Sequence, residues 1–334
     1  MKKIFVGFFI GLFAIVTLAG GAFFLYAFGI GKDTYVVEPE QVEGKTYHWE
    51  VRAEMPTLRT EVTAAVLDGK IYVIGGMDVL GRAVATVEVY DPETDSWSEG
   101  PSLPEPRHHT SAVSVRDAIF VIGGFTGTSF EPHAEVFGLA KGATEWTQYE
   151  PLPKPRGALA ASVIGDKLYA VGGVGSEGLS NELTVYDLFS GVWETKANGP
   201  TARDHLAAAV IDGKIYVAGG REQSLSRNLG TLEIYDPETD TWTSGPPMPT
   251  PRGGVAGAAF EGKFFVVGGE QPQGTFNEVE AFIPGNDSWL LLPPLPTARH
   301  GLSAAVIGNK LYVIGGGKNP GPSVSGSNEV LVVE

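Results

Sequence analysis

The apolar and polar positions of this chain form short runs that repeat about every 48 residues. Residues 206–211 (LAAAVI) precede the pair Asp212-Gly213 and then KIYVAGG, a run of β-branched and aromatic residues that ends in two glycines. Such runs predict β-strands, and Asp-Gly between them predicts a two-residue hairpin turn with positive φ. The run LEIYDPETDTW predicts a third strand, a turn containing proline and the tryptophan of a fourth strand. One unit is therefore predicted to form a four-stranded antiparallel sheet.

Six copies of this unit follow one another. Successive Gly-Gly pairs are 47 to 49 residues apart, and each of the six tryptophans precedes an arginine by ten residues. Each arginine precedes the next Gly-Gly pair by sixteen residues. These arginines are Arg59, Arg107, Arg156, Arg203, Arg252 and Arg299. A fixed period with several fixed internal spacings predicts a repeat array.

The Gly-Gly pair, the aromatic positions and the spaced tryptophan resemble the kelch repeat, in which one unit builds one blade of a β-propeller. The resemblance covers about 290 of the 334 residues and implies an all-β, six-bladed kelch propeller. The first tryptophan precedes the first Gly-Gly pair, and no tryptophan follows the last pair. We therefore predict that residues 47–53 supply the outer strand of the last blade and close the ring. Alignment of residues 328–334 (NEVLVVE) with residues 277–282 (NEVEAF) places Val333 at the position of Tyr90.

An apolar segment precedes the repeats. Residues 4–31 contain no charged residue and follow Lys2 and Lys3. As a helix they would extend about 42 Å, which exceeds the ~30 Å hydrocarbon core of a bilayer. We predict a signal anchor and transmembrane helix in residues 1–31, an acidic linker in residues 32–46 and the propeller in residues 47–334. The two lysines predict a single-pass cell-membrane protein with its propeller on the extracytoplasmic side, or a secreted protein if the segment is cleaved.

Charge and composition narrow the classes of function. The chain carries a formal net charge of −15, and the only charges in residues 1–32 are three lysines, which leaves −18 on residues 33–334. An acidic body argues against nucleic acid or anionic lipid as the main partner of the propeller. The chain has no cysteine, and it contains no P-loop, HExxH motif or metal-spaced Cys/His cluster. The sequence therefore predicts neither a cofactor nor a metal site.

The predicted binding surface is the end of the propeller that carries the variable loops. Among the copies, length varies only between Gly-Gly and the next tryptophan. The loop joining the second and third strands carries most of this variation, and in an up-and-down blade it lies at the same end as the arginines. We call this end the loop face. Variable loops on an invariant scaffold indicate a binding surface.

Two sets of positions on the loop face break the repeat. Directly after the arginines come Thr60, His108, Gly157, Asp204, Gly253 and His300, and one residue later come Glu61, His109, Ala158, His205, Gly254 and Gly301. Clustered His, Asp and Glu side chains indicate either a polar ligand pocket with acid/base groups or surface histidines in a wet channel. The repeated arginines are expected to pack structurally between blades, and the alternative is that they bind acidic peptide, as the resemblance to some kelch propellers implies.

Three function classes follow. The first is a scaffold that binds an extracytoplasmic protein or peptide, for which exposed loop aromatics such as Phe125, Phe130 and Phe276 would form a patch. The second is an enzyme similar to the six-bladed kelch N-acetylneuraminate epimerases, in which Arg107, Arg203 or Arg299 would bind the carboxylate of an acidic sugar and His109, His205 or Glu61 would move a proton. The third, a copper radical oxidase similar to galactose oxidase, is excluded because its Cys-linked tyrosine requires a cysteine.

We expect binding rather than catalysis, and we assign no catalytic residue. The candidate binding residues are Arg59, Glu61, Arg107, His108, His109, Arg156, Arg203, Asp204, His205, Arg252, Arg299 and His300.

Overall fold

The computed structural model describes residues 40–334. The predicted anchor in residues 1–31 and the first part of the predicted linker lie outside the described residues. No helix within residues 40–334 is long and apolar enough to cross a membrane. The described chain is built from short strands, and its architecture follows the repeat.

The strands fall into six blades. Two strands come first, β1 (Glu40–Val42) and β2 (Lys45–Val51). Blade 1 contains β3 (Thr63–Leu67), β4 (Lys70–Ile74), β5 (Val87–Asp91) and β6 (Ser96–Glu99). Blade 2 contains β7 (Ser111–Val115), β8 (Ala118–Ile122), β9 (Phe125–Thr126), β10 (Glu131–Pro132), β11 (Val136–Ala140) and β12 (Thr147–Tyr149). Blade 3 contains β13 (Ala160–Ile164), β14 (Lys167–Val171), β15 (Val174–Gly175), β16 (Gly178–Leu179), β17 (Leu183–Asp187) and β18 (Val192–Thr195).

The remaining blades repeat this order. Blade 4 contains β19 (Ala207–Ile211), β20 (Lys214–Ala218), β21 (Leu232–Asp236) and β22 (Thr241–Gly245). Blade 5 contains β23 (Ala256–Phe260), β24 (Lys263–Val267), β25 (Glu270–Gln271), β26 (Gly274–Thr275), β27 (Val279–Ile283) and β28 (Ser288–Leu292). Blade 6 contains β29 (Ser303–Ile307), β30 (Lys310–Ile314) and β31 (Asn328–Val333), with β2 beside β31.

Each blade is an antiparallel meander whose first strand faces the central axis. The six first strands contact one another in a closed ring, from β3 through β7, β13, β19 and β23 to β29 and back to β3. Their second residues are small because six strands converge there, namely Ala64, Ala112, Ala161, Ala208, Gly257 and Ala304. The turn between β19 and β20 has φ of +49° at Asp212 and +74° at Gly213, as Asp-Gly predicts. The six-bladed kelch-type architecture is confirmed.

The ring closes through the N-terminal strand, as predicted. β2 pairs antiparallel with β31 over Tyr47 to Val51 and becomes the fourth strand of blade 6. Trp49 is buried in the core there, and its Nε1 donates to the carbonyl of Pro293 at 2.9 Å. The tryptophan of every other blade makes the same bond to the segment that follows the outer strand of the preceding blade. Each tryptophan therefore joins two blades.

Two details of blade 6 differ from the sequence analysis. Leu331, rather than Val333, occupies the position of Tyr90, because Leu331 pairs with Trp49 as Tyr90 pairs with Trp97. The alignment was wrong by two residues. A shift of two residues leaves every side chain on the same face of the strand, so the hydrophobic pattern does not detect it. In addition, β1 pairs with β2 as a fifth strand inside the segment assigned to the linker.

Candidate functional site

The six repeated arginines are structural parts of the blades. All six are at most 2% exposed. The guanidinium of Arg203 donates to the carbonyls of Val217, Gly219 and Thr231 at 2.8–3.1 Å and pairs with Glu233 at 2.9 Å. Burial lowers the pKa of Arg203 to about 10, which still leaves the side chain charged near neutral pH. This ring therefore satisfies backbone carbonyls between the strands and offers no open surface to a ligand.

The same arrangement recurs with small variations. Arg59, Arg252 and Arg299 pair with a buried glutamate of the third strand and bond to carbonyls of their own blade. Arg156 bonds instead to the hydroxyl of Thr184 at 2.6 Å. Arg107 contacts Glu105, His133 and Glu135.

The residues that follow the arginines lie at the mouth of the central channel on the loop face. In every blade the residue after the arginine forms a β-bridge with the residue after Gly-Gly, for example Asp204 with Arg221 and Gly253 with Glu270. The segment before the first strand and the loop between the second and third strands therefore meet at one end of the propeller.

A closed ring of backbone hydrogen bonds shapes this mouth. In blades 2 to 6 the N–H of the residue two positions after the arginine donates to the carbonyl of its counterpart in the preceding blade. In blade 1 the N–H of Val62 donates to the carbonyl of Gly301 and closes the ring. All six residues of the ring have φ between +53° and +71°, namely Glu61, His109, Ala158, His205, Gly254 and Gly301. Positive φ is unfavourable for non-glycine residues, so the ring holds four of them in a strained conformation.

Glu61 is the centre of a network of buried polar side chains. Its Oε2 lies 3.1 Å from Nε2 of His109, and its Oε1 lies 3.3 Å from Nδ1 of His300. The same Nδ1 lies 3.5 Å from Oε1 of Glu270. These residues come from blades 1, 2, 5 and 6, so only ring closure brings them together.

Arg221 links this network to its other half. Its guanidinium donates to Glu270 Oε1 at 2.7 Å, to His205 Nε2 at 2.8 Å and to Asp204 Oδ1 at 3.3 Å. His205 Nδ1 also bonds to Asp204 Oδ1. The His205 ring stands edge-on to the ring of His109 at a centroid distance of 4.8 Å.

The network sets the charge of its members. Burial favours the neutral form of Glu61, but His109 and His300 beside it hold the pKa of that carboxyl well below its usual range. Burial holds the pKa of His109 well below its ordinary value, which leaves this imidazole neutral near pH 7. Burial also acts to lower the pKa of His300, but the facing carboxylates of Glu61 and Glu270 raise it overall. The mouth therefore combines carboxylates with one imidazole whose pKa is lowered and one whose pKa is raised. Such a set can bind a cation or move a proton.

The space at the mouth is small. A cavity of about 80 Å³ is lined by Glu61, His109, Ala158, His205, Gly254 and Gly301 together with the residue after each of them. A second cavity of about 150 Å³ lies between the first strands. Two groups at the mouth place His and carboxylate donor atoms within 4.8 Å of one another, namely Glu61 with His109 and His205, and Glu61 with Glu270 and His300.

Comparison with known proteins agrees with the fold. A family model described as "KLHDC2/KLHL20/DRC7 Kelch-repeats domain" matches residues 150–316, which is half of the chain. A second model, described as "Kelch motif", matches residues 58–104. The chain belongs to the kelch-repeat family.

Individual kelch relatives are distant. The chain is 27% identical to Beta-scruin of Limulus polyphemus over 176 residues, which cover 53% of this chain and 15% of that protein. It is 28% identical to the Kelch-like protein terF of Aspergillus terreus over 180 residues, which cover 52% of this chain and 30% of that protein. The solved structure titled "Structure of YjhT" matches with a TM-score of 0.73 at 14% identity and covers 85% of this chain and 100% of that chain. The chain thus spans less than a third of the length of these two curated relatives, and the solved structure shows the fold alone.

The kelch propeller brings some candidate residues together and separates others. Asp204, His205, His109, Glu61 and His300 converge at the mouth. His108 is buried beside them, its Nε2 is 3.1 Å from the carbonyl of Gly127, and its ring packs against Phe130. The six arginines are buried within separate blades.

Sequence reasoning missed Arg221 and Glu270. Both directly follow a Gly-Gly pair, where other blades have Met77, Phe125, Val174 and Gly317. The residues directly after the Gly-Gly pairs are therefore a third set of positions that break the repeat. The charges of Arg221 and Glu270 in this set are the sequence signal for both residues.

The exposed apolar residues of the loop face also differ from expectation. The structure buries Phe125 and Phe276, whereas Phe130 is 44% exposed. Val79 and Leu80, in the loop between β4 and β5, are 70% and 67% exposed.

Proposed function

We propose that this kelch propeller is a protein- or peptide-binding scaffold that works through its loop face. We further propose that residues 1–31 anchor it in the cell membrane with the propeller on the extracytoplasmic side. Kelch propellers in general mediate protein interactions.

The observation that carries the scaffold proposal is the set of exposed apolar side chains on adjacent blades. Val79 and Leu80 stand at the tip of the blade 1 loop, and Phe130 stands on the blade 2 loop. Large apolar side chains exposed on a surface loop are typical anchors for a partner, because their burial contributes binding free energy. The arginine ring does not supply such a surface, so we propose recognition by apolar contact rather than by arginine–carboxylate pairing.

The test is a comparison of two surface variants in cross-linked membrane fractions. Leu80→Asp places a charge in the proposed contact, and we expect it to abolish capture of the partner. Phe189→Asp is the matched control, because Phe189 is 76% exposed in the turn between β17 and β18 at the opposite end of the blade. Equal capture by both variants and the native chain would refute the loop face as the docking surface.

The second candidate function is a carbohydrate-active enzyme similar to the N-acetylneuraminate epimerases. The observation in its favour is the asymmetric network of Glu61, His109, His205 and Arg221, which combines proton carriers with a guanidinium. The cavity of about 80 Å³ argues against it, because ligand pockets usually measure about 300–1,000 Å³. A thermal shift with N-acetylneuraminate that disappears in Glu61→Gln, together with accelerated interconversion of its anomers, would establish this function in place of the scaffold. No shift with acidic or neutral sugars would exclude it.

The anchoring proposal rests on the uncharged segment of residues 4–31 behind two lysines. We expect the full-length chain in the membrane fraction, with an intact mass that includes residues 1–31 and a propeller accessible to protease from outside the cell. A soluble chain that lacks this segment would show cleavage and secretion instead.

A further inference from the structure

One buried nitrogen at the channel mouth faces two acceptors. His300 is 1% exposed, and its Nδ1 lies 3.3 Å from Glu61 Oε1 and 3.5 Å from Glu270 Oε1. The contacts do not have hydrogen-bond geometry, so this nitrogen is without a hydrogen-bond partner. On the other side of the ring, Nε2 lies 3.1 Å from the carbonyl of Asn319 and donates its proton there. In the neutral imidazole, Nδ1 therefore presents a lone pair to two carboxylate oxygens.

Three acceptor atoms cannot face one another without compensation, so either a proton on Nδ1 or a bound cation must lie between them. A charge-assisted N–H···O bond would bring the nitrogen to about 2.7–2.9 Å from an oxygen. The separations of 3.3 and 3.5 Å are longer. They match the ~3.3 Å between neighbouring ligands of a tetrahedral ion whose bonds are about 2.0–2.1 Å long. The spacing thus fits a metal ion better than a shared proton.

Neighbouring groups hold the donor atoms in place. Glu270 Oε2 accepts the N–H of Gly321 at 3.0 Å, and Glu270 Oε1 accepts from Arg221 at 2.7 Å. The second oxygen of Glu61 lies against His109. A histidine that donates its other N–H to a backbone carbonyl, beside carboxylates that are themselves hydrogen-bonded, is the usual outer shell of a metal ligand set.

Glycines make room for this group. A Cβ added to Gly301 would stand 2.6 Å from Glu61 Oε1, and one added to Gly317 would stand 2.6 Å from His300 Nε2. A Cβ at Gly254 would lie 3.3 Å from Cγ of Glu270. Side chains at these three positions would displace the donor atoms, so glycine at each of them leaves room for the group.

The charge balance of the mouth also favours a cation. Glu61, Glu270 and Asp204 are three largely buried carboxylates, and Arg221 is the one guanidinium that pairs with them among the described residues. Even with one imidazolium, a negative charge remains in a poorly solvated site. Buried charges without compensation are costly, and a divalent ion bound by the neutral imidazole would neutralise the two negative charges that Arg221 leaves uncompensated.

We propose that Glu61, Glu270 and His300 bind one divalent first-row transition-metal ion, with Zn²⁺ the best fit to one imidazole and two carboxylates. A Zn²⁺ ion held by three protein ligands keeps a fourth coordination position for water or a small ligand. Of the three ligands, Glu61 lines the cavity of about 80 Å³ at the mouth. The proposal is independent of the partner of the loop face.

The test is calorimetric titration of the full-length chain, purified in detergent and stripped with chelator, with ZnCl₂. We expect one site per chain. Glu270→Gln and His300→Asn, which preserve the size and polarity of the mouth, should each weaken binding by about 100-fold or more. His48→Asn is the matched control, because His48 lies on β2 against Glu50 and away from the mouth. The affinity of this variant for Zn²⁺ should stay within about twofold of that of the native chain. Near-UV circular dichroism checks that each variant is folded.

Titration with Co²⁺ gives a second readout. A tetrahedral site with one imidazole should produce visible absorption bands in the native chain that are lost in His300→Asn. Absence of Zn²⁺ binding up to millimolar concentration would overturn the proposal and identify His300 as an imidazolium between two carboxylates. Binding that survives His300→Asn but fails in His205→Asn would also overturn it, in favour of Glu61, His109 and His205.

Discussion

Replacing Arg203 by methionine should destabilise the propeller far more than the loss of a surface charge would. Methionine fills much of the same space but removes the guanidinium. Glu233, which is 3% exposed, then loses its charged partner and keeps only the hydroxyl of Thr201 at 2.6 Å. Three buried carbonyls of blade 4 lose their donor as well.

The expected cost can be built from these contacts. Removing one partner of a buried ion pair costs about 3–5 kcal/mol. The three carbonyl bonds add about 1 kcal/mol each, so Arg203→Met should lower the free energy of unfolding by about 6–8 kcal/mol. Glu233→Gln keeps the shape and the bond to Thr201 and leaves the arginine bonded to its carbonyls, so it should cost about 3 kcal/mol. Arg116→Met removes an exposed pair with Asp166 and should cost less than about 1 kcal/mol.

The assay is urea unfolding of the full-length chain in a mild detergent, followed by tryptophan fluorescence and far-UV circular dichroism. The order of stability should be native, Arg116→Met, Glu233→Gln and Arg203→Met. If Arg203→Met is as stable as Arg116→Met, the arginine does not hold the strands of its blade together, and the interpretation of these side chains as structural is refuted.

Further predictions concern closure, backbone conformation and blade junctions. Trp49→Ala should cost about 3–5 kcal/mol in urea unfolding, because this residue of β2 is buried in blade 6, and a cost under 1 kcal/mol would contradict closure by that strand. Gly173→Ala places a Cβ 2.6 Å from a backbone carbonyl at φ +95° and should lower the melting temperature clearly more than Gly213→Ala, whose Cβ meets nothing within 4 Å. Equal melting temperatures would refute that reasoning. Asp240→Ala removes the acceptor of the Ala197 N–H and should cost about 1–2 kcal/mol, and an unchanged unfolding midpoint would show that this junction contributes nothing.

Most of the fold was predictable because the spacings of tryptophan, arginine and Gly-Gly that define the repeat lie within single units of the chain. The Asp212-Gly213 turn, the strands on either side of it and the inner small residues follow from propensity and from side-chain size. Closure followed from counting, since one tryptophan stood before the first Gly-Gly pair and none after the last. β1 was not predicted, because three residues of an edge strand leave no period of their own.

The site was predictable only in part. The positions one and two residues after each arginine were predicted because they break the repeat, yet the sequence could not say which of their side chains would meet. Glu61 and His300 are far apart in the chain and become neighbours only when blade 6 closes on blade 1. Glu270 reaches them from blade 5 because glycines stand where other blades have side chains.

The sequence by itself determined six blades, their strand order and the strand that closes the ring, because these depend on spacings within one unit and on the number of units. Tertiary structure alone decided the register of Leu331 opposite Trp49, since a slip of two residues preserves the buried face. It also decided that the arginines are buried and that acids and histidines from five blades converge. Such contacts depend on distances between blades and on side-chain direction, which no linear pattern contains.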